Sequence, residues 1–321
     1  MTAPLKQYLT VDEQISLLKS RGMQLDGEPE RWLRAVNYYR LSGYWYVYRA
    51  VVTRDGTFAR ADEFQEGTTF SAVTALYEFD RKLRTLVHDG IERIEVALRS
   101  HVSYVLGARD PLAHEDPTTF RTEFDHAAWM TKARVRVART ARSSAYIRHH
   151  TDRYGGDIPI WVLVDVLDFA DVSMLFEALR AGDQYKVAEG LGIKFDLDQL
   201  GSSQRRKALK NHPLARWLEQ LTVLRNITAH HGRLWNRTLV PAATSAMRTV
   251  SGLESLPAGQ SEDVFGALSV VATILETTSP GARWVARVVD EMDSIFGMHA
   301  QRSPNEMGFP DSWRTLSIWS V

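Results

Sequence analysis

One stretch constrains this chain more than any other. Over residues 71–106, Leu76, Leu83, Val87, Ile91, Ile94, Leu98 and Val105 recur at intervals of three, four or seven. That is the period of an α-helix, about 3.6 residues per turn. Glu78–Lys82, Asp80–Arg84 and Glu95–Arg99 are acid–base pairs at i,i+4, which reads as an exposed face opposite the apolar stripe. A helix of this length far exceeds the mean of about 11–12 residues. It needs other helices to cover its stripe, so it predicts an all-α bundle built around it.

The flanking sequence agrees. Thr10 with Glu13 forms a capping-box pattern before Ile15, Leu17 and Leu18, ending at Arg21-Gly22. A second helix is expected over 29–39, followed by an unusually aromatic run through Tyr44-Trp45, and then an irregular stretch over 51–67 with a turn at Asp55-Gly56. Residues 107–125, with Pro111 and Pro117, read as loop. Further helices are expected over 126–149, from Pro159 to Gly182, from Pro213 through Ile227, and over 261–278 and 281–297. The tail, with Met307-Gly308-Phe309-Pro310, Trp313 and Trp319, reads as irregular chain packed on the body. The expected organisation is a small N-terminal helical and aromatic region (1–67), a helical core (68–250), and C-terminal helices with a tail packed on that core (251–321).

Composition removes whole classes of chemistry. There is no cysteine among the 321 residues, so disulfide scaffolds, cysteine-ligated zinc, iron–sulfur clusters and cysteine nucleophiles are excluded. The opening Met1–Gln7 stretch has no apolar segment, and no run approaches the ~20 apolar residues of a membrane span, so a cytoplasmic protein without a leader is expected. No P-loop, G-x-G-x-x-G or G-x-S-x-G is present. His149-His150 lacks the companions of a metal site, and no metal or other cofactor is expected.

Charge is balanced in sum, 39 Lys+Arg against 39 Asp+Glu, and segregated along the chain. Residues 132–153 hold seven Lys/Arg and one acid, and residues 199–248 hold nine and one; residues 250–321 reverse the balance, with nine acids and four bases. Basic stripes of this kind attract phosphates; they also serve as plain solvated helix faces.

The second basic stretch contains Leu224-Arg225-Asn226-Ile227-Thr228-Ala229-His230-His231-Gly232-Arg233-Leu234-Trp235-Asn236-Arg237. Histidine exchanges a proton near neutrality, and arginine is a permanent cation suited to a phosphorus that gains negative charge. Together they suit attack of a ribose 2′-hydroxyl on its own phosphate, which needs neither a metal nor a protein nucleophile. Asn226 and His230 share a helix face at i,i+4, whereas Arg225 and His230 lie about 140° apart on a straight helix. Convergence then requires the long Arg225 side chain, a distorted helix or a second subunit. A purely structural reading is that the two histidines cap the helix before Gly232 as its C′ residue.

This stretch resembles the R-x4-6-H motif of HEPN ribonucleases, in the form found in abortive-infection (AbiD- and AbiF-like) phage-resistance proteins. Other blocks resemble that family in the same order: Tyr8-Leu9-Thr10 with Arg21-Gly22-Met23, Asn37-Tyr38-Tyr39-Arg40-Leu41-Ser42-Gly43-Tyr44, Phe79-Asp80-Arg81-Lys82-Leu83-Arg84, Ile91-Glu92-Arg93-Ile94-Glu95-Val96-Ala97-Leu98-Arg99, and Met307-Gly308-Phe309-Pro310. The resemblance implies a HEPN-like helical bundle and a metal-independent endoribonuclease of anti-phage defence. It implies Arg225 as the group that stabilises the transition state, His230 as general acid/base, Asn226 as the group that orients His230 or the scissile phosphate, and His231 as the alternative acid/base if the register is one longer. The backbone of RNA would be held by Arg233 and Arg237, and the basic stretches add Arg205, Arg206, Lys207, Arg134, Arg136 and Arg139. Since the chain has one clear motif, a homodimer that brings two motifs together is expected, with RNA as substrate and a small non-coding RNA as a further partner. Arg93 and His101 are spaced too widely for a second motif. Two other functions stay open at this point: an RNA-binding defence protein with little or no nuclease activity, and a DNA-binding regulator using its N-terminal helices.

Overall fold

The computed structural model describes residues 5, 7–54, 56–297 and 301–320. The structure is mostly helical, with thirteen α-helices and two short two-stranded sheets among the described residues. No described helix is long and apolar enough to cross a membrane. The chain divides into two compact units, Met1–Leu83 with Glu291–Ser303, and Arg84–Asp290 with Pro304–Val321. Most of the Met1–Gln7 opening and Asp55 of the expected turn lie outside the described residues.

In the first unit, α1 (Val11–Ser20) starts on the expected capping box of Thr10 and Glu13. The helix expected over 29–39 is two helices, α2 (Pro29–Val36) and α3 (Tyr38–Trp45). Asn37 divides them at φ +80°, a conformation that asparagine tolerates better than most residues. Its Oδ1 accepts the Tyr39 N–H at 2.8 Å and so caps the new helix. The aromatic run is split in role: Tyr44 and Trp45 are buried, whereas Tyr39 and Tyr46 are exposed. The stretch expected to be irregular is an antiparallel hairpin, β1 (Arg49–Arg54) and β2 (Thr57–Phe64). Valine, threonine and phenylalanine favour the extended chain, and Gly56 at φ +75° supplies the reversal. The long helix, α4 (Phe70–Gly107), contributes residues 70–83 here. Asp80 departs from its expected exposed face: it is fully buried and accepts the Tyr44 hydroxyl at 2.6 Å.

In the second unit, α4 keeps Val87, Ile91, Ile94 and Leu98 fully buried. Toward its end the buried positions are Val102 and Leu106, with Val105 only half-buried, because a true helix drifts from a strict seven-residue repeat. The helix expected over 126–149 breaks into α5 (His126–Ala141) and α6 (Ala145–Arg153). The one expected from Pro159 to Gly182 is α7 (Ile160–Val166), α8 (Phe169–Ala178) and the start of α9 (Ala181–Gly190). The break before α8 is a capping box between Asp168 and Asp171. Then follow α10 (Ser202–Lys210), α11 (Leu214–Ala229), the two-residue strands β3 (Ala242–Ala243) and β4 (Gln260–Ser261), α12 (Val264–Thr278) and α13 (Trp284–Phe296). The tail packs as expected: Met307, Phe309, Trp313, Ile318 and Trp319 are buried, with the rings of Phe265 and Phe309 4.9 Å apart.

Candidate functional site

Helix α11 carries the candidate motif at its C-terminal end, and the core fixes that end in place. Leu214, Trp217, Leu218, Leu221 and Leu224 have no exposed surface, and the helix packs against α8 and α12. Trp217 Nε1 donates to the Ala243 carbonyl at 3.1 Å, and Gln220 Nε2 donates to the carbonyls of Val240 and Ser261 at 2.6 and 3.1 Å. At the N-terminus the Leu214 N–H, which has no partner within the helix, donates to His212 Nδ1 at 3.2 Å. His212 is buried, its ring stacked on Phe195 at 4.5 Å, and its backbone N–H donates to Gln184 Oε1 at 2.9 Å. Burial pushes its pKa down to about 3, so the ring is neutral.

The other end of α11 closes as a Schellman motif. Gly232 N–H donates to the Ile227 carbonyl at 2.8 Å, and His231 N–H to the Thr228 carbonyl at 3.1 Å. The residue in the left-handed position is therefore His231, at φ +57°. The sequence expectation placed Gly232 there; the cap is one residue earlier. A histidine at a position that favours glycine or asparagine is strained, and such residues concentrate at functional sites. The next residues, Leu234 and Trp235, are fully buried and turn the chain back to the core.

The motif residues lie around this cap. Arg225 is half-buried, and its Nη1 approaches Asn226 Oδ1 at 3.5 Å. Among the described residues no carboxylate pairs with it. Asn226, His230 and His231 are exposed, and His230 N–H donates to the Asn226 carbonyl at 3.0 Å. Arg237 is brought back over the cap: its Nη1 lies 3.8 Å from the point a β-carbon on Gly232 would occupy. Arg233 is half-buried in the same turn. A helix C-terminus carries partial negative charge, and these arginines offset it where an anion would have to sit.

A third histidine enters from α4. Exposed His88 has its Nδ1 3.5 Å from the Thr228 hydroxyl, and that hydroxyl donates to the Arg225 carbonyl at 2.8 Å. The sequence carries no signal for this contact, which depends on how α4 and α11 approach each other. From the next residue, Asp89, a cleft of about 560 Å³ runs along α4 past Glu92, Arg93 and Ser100 to His101, with Gly190 and Thr277 on its far side. Arg93 is tied to Asp89 at 3.2 Å, and Glu95 and Arg99 form their intrahelical pair.

The remaining basic residues divide into two kinds. Arg136, expected to hold RNA, is instead paired with Asp168 and with buried Asp171, the latter at 3.1 Å, and so ties α5 to the capping box of α8. Arg205 is paired with Asp198 at 3.0 Å. Arg134, Arg139, Arg206 and Lys207 are exposed and make no ion pair among the described residues. Nor, among those residues, does any group of three or more His, Asp or Glu stand ready to hold a metal ion.

A family model described as Abi-like protein matches residues 31–236, a span that begins in α2 and ends just beyond the α11 cap. No curated protein and no solved structure matches the chain.

Proposed function

The chain belongs to the Abi-like family of abortive-infection phage-resistance proteins, and on that premise we propose that it is a metal-independent HEPN-type endoribonuclease whose site is the C-terminal end of α11. The observation that carries this reading is the grouping of a cation without a carboxylate partner, Arg225, with Asn226 and two exposed histidines around a strained helix cap. In the reaction the ribose 2′-oxygen attacks the adjacent phosphorus and the bond to the 5′-oxygen breaks, leaving a 2′,3′-cyclic phosphate and a 5′-hydroxyl. Arg225 stabilises the charge that accumulates on the phosphoryl oxygens, an effect worth about 3–4 kcal/mol for one well-placed donor. His230 transfers a proton, Asn226 orients it or the scissile phosphate, and His231 holds the cap and lies next to the same phosphate. Arg233 and Arg237 bind the flanking backbone, and Arg134, Arg139, Arg206 and Lys207 extend the attraction to longer RNA, including a small structured RNA partner. A homodimer brings two such sites into one assembly.

The test is phage challenge of cells expressing the protein, with 5′-hydroxyl RNA ends mapped by sequencing. Protection and new ends, both absent in Arg225→Ala and His230→Ala, support the reading; protection without new ends in the wild type overturns it. The exposed cations favour one other reading, that the protein binds RNA and cleaves little. In that case RNA co-purifies and both substitutions leave protection intact.

A further inference from the structure

The reaction needs two proton transfers, one from the 2′-hydroxyl and one to the 5′-oxygen, and His230 supplies one of them. Resting on the nuclease reading above, we infer that His88 of α4 is the second proton-transfer group, acting as the general base with its Nε2.

Helix geometry gives the first argument. At about 100° per residue, Thr228 lies about 60° from Arg225 on one side of α11, while Asn226 and His230 lie about 100° and 140° away on the other. His88 reaches α11 at Thr228. On the solvent-facing side of α11 Arg225 therefore stands between the Thr228 contact of His88 and His230, with the two histidines on opposite sides of it, so that they meet on one phosphate only where their side chains reach toward the Arg225 guanidinium.

Hydrogen bonding gives the second. The single proton of the Thr228 hydroxyl is used on the Arg225 carbonyl at 2.8 Å. Toward His88 that oxygen is left to accept, so a ring proton on Nδ1 satisfies the contact and leaves the Nε2 lone pair for the substrate. A 3.5 Å contact is long for a hydrogen bond, and such contacts shorten when substrate binds. Along α4 the charged neighbours of His88 in the helix are Arg84 one turn before it, Asp89 beside it, paired with Arg93 and with Arg287 of α13, and Glu92 one turn after it; Arg225 stands three residues before Thr228 on α11. In the step, His88 Nε2 takes the 2′-hydroxyl proton as the 2′-oxygen bonds to phosphorus. His230, protonated beforehand, gives its proton to the departing 5′-oxygen. Solvent then restores both rings. The inference has both groups act within one chain.

The test uses His88→Asn, which retains a donor toward Thr228 and cannot titrate. The expected loss is about 10²–10⁴-fold in kcat/KM, with the acidic limb of the wild-type bell-shaped profile flattened; His230→Asn flattens the alkaline limb. A His88→Asn enzyme within about threefold of wild type, or retaining both limbs, overturns the inference. A mixed assembly of the two variants remains inactive if both groups act within one chain, and regained activity overturns that point. An NMR arm separates the inference from the reading beneath it. With an oligonucleotide carrying 2′-deoxyribose at the scissile position, shifts of both His88 and His230 ring resonances support the inference. Shifts of His230 alone overturn His88 and keep the site. No shift of either overturns both.

Discussion

The His212 contact at the start of α11 gives the site a calculable dependence on pH. The ring is buried, accepts the Leu214 N–H through Nδ1, and has no hydrogen-bond partner at Nε2 among the described residues. Protonation would place a hydrogen on Nδ1, break that bond and leave a cation against Phe195 and Tyr185. The folded pKa is pushed down to about 3 from 6.5. In between, the unfolded chain binds a proton that the folded chain does not, so stability rises with pH across this window. The contribution is complete above 6.5 and is lost as pH falls toward 3. On going from about pH 7 to about pH 4 the unfolded state holds the extra proton over roughly 2.5 pH units, from 6.5 down to 4, which is on the order of 3 kcal/mol at about 1.4 kcal/mol per unit. His114, pushed down to about 4 mainly by burial, acts in the same direction. The assay is urea denaturation of wild type and His212→Asn at both pH values. Asparagine retains an acceptor for Leu214 and cannot charge, so the variant is weaker at neutral pH and loses about 3 kcal/mol less on acidification. Equal losses in the two proteins would refute the reasoning.

Other substitutions separate structural from binding roles. Arg136→Ala strands buried Asp171 and lowers stability by about 2–4 kcal/mol in thermal or urea unfolding. Arg134→Ala and Arg139→Ala leave stability within about 0.5 kcal/mol and weaken RNA binding, each reducing the salt slope by roughly 0.7. Gly190→Ala puts a methyl 2.5 Å from His101 Cε1; the crowding, about 1–3 kcal/mol, outweighs the ~1 kcal/mol gained in helix propensity, and the melting temperature falls by several degrees.

What the sequence revealed follows from the range of the forces involved. The α4 stripe and the α1 capping box are local patterns, and both stand in the structure. The helix breaks at Asn37 and Asp168 were not legible, because apolar periodicity runs through them and the interruption depends on backbone conformation and capping. The hairpin after α3 was not legible, because apolar and polar residues do not alternate cleanly along β1 and β2 and the pairing is fixed only by contact between the two strands. In the site, the Arg225–His231 grouping was readable as spacing. The left-handed His231, the return of Arg237, the approach of His88 and the diversion of Arg136 to Asp171 all depend on tertiary packing.

The most direct measurement is incubation of the purified protein with labelled RNA in excess EDTA, followed by analysis of the product ends. The account predicts 2′,3′-cyclic phosphate and 5′-hydroxyl ends from the wild type, and none from Arg225→Ala or His230→Ala variants that retain the wild-type melting temperature. Undiminished cleavage by both variants, or cleavage that begins only when a divalent metal is restored, would contradict it.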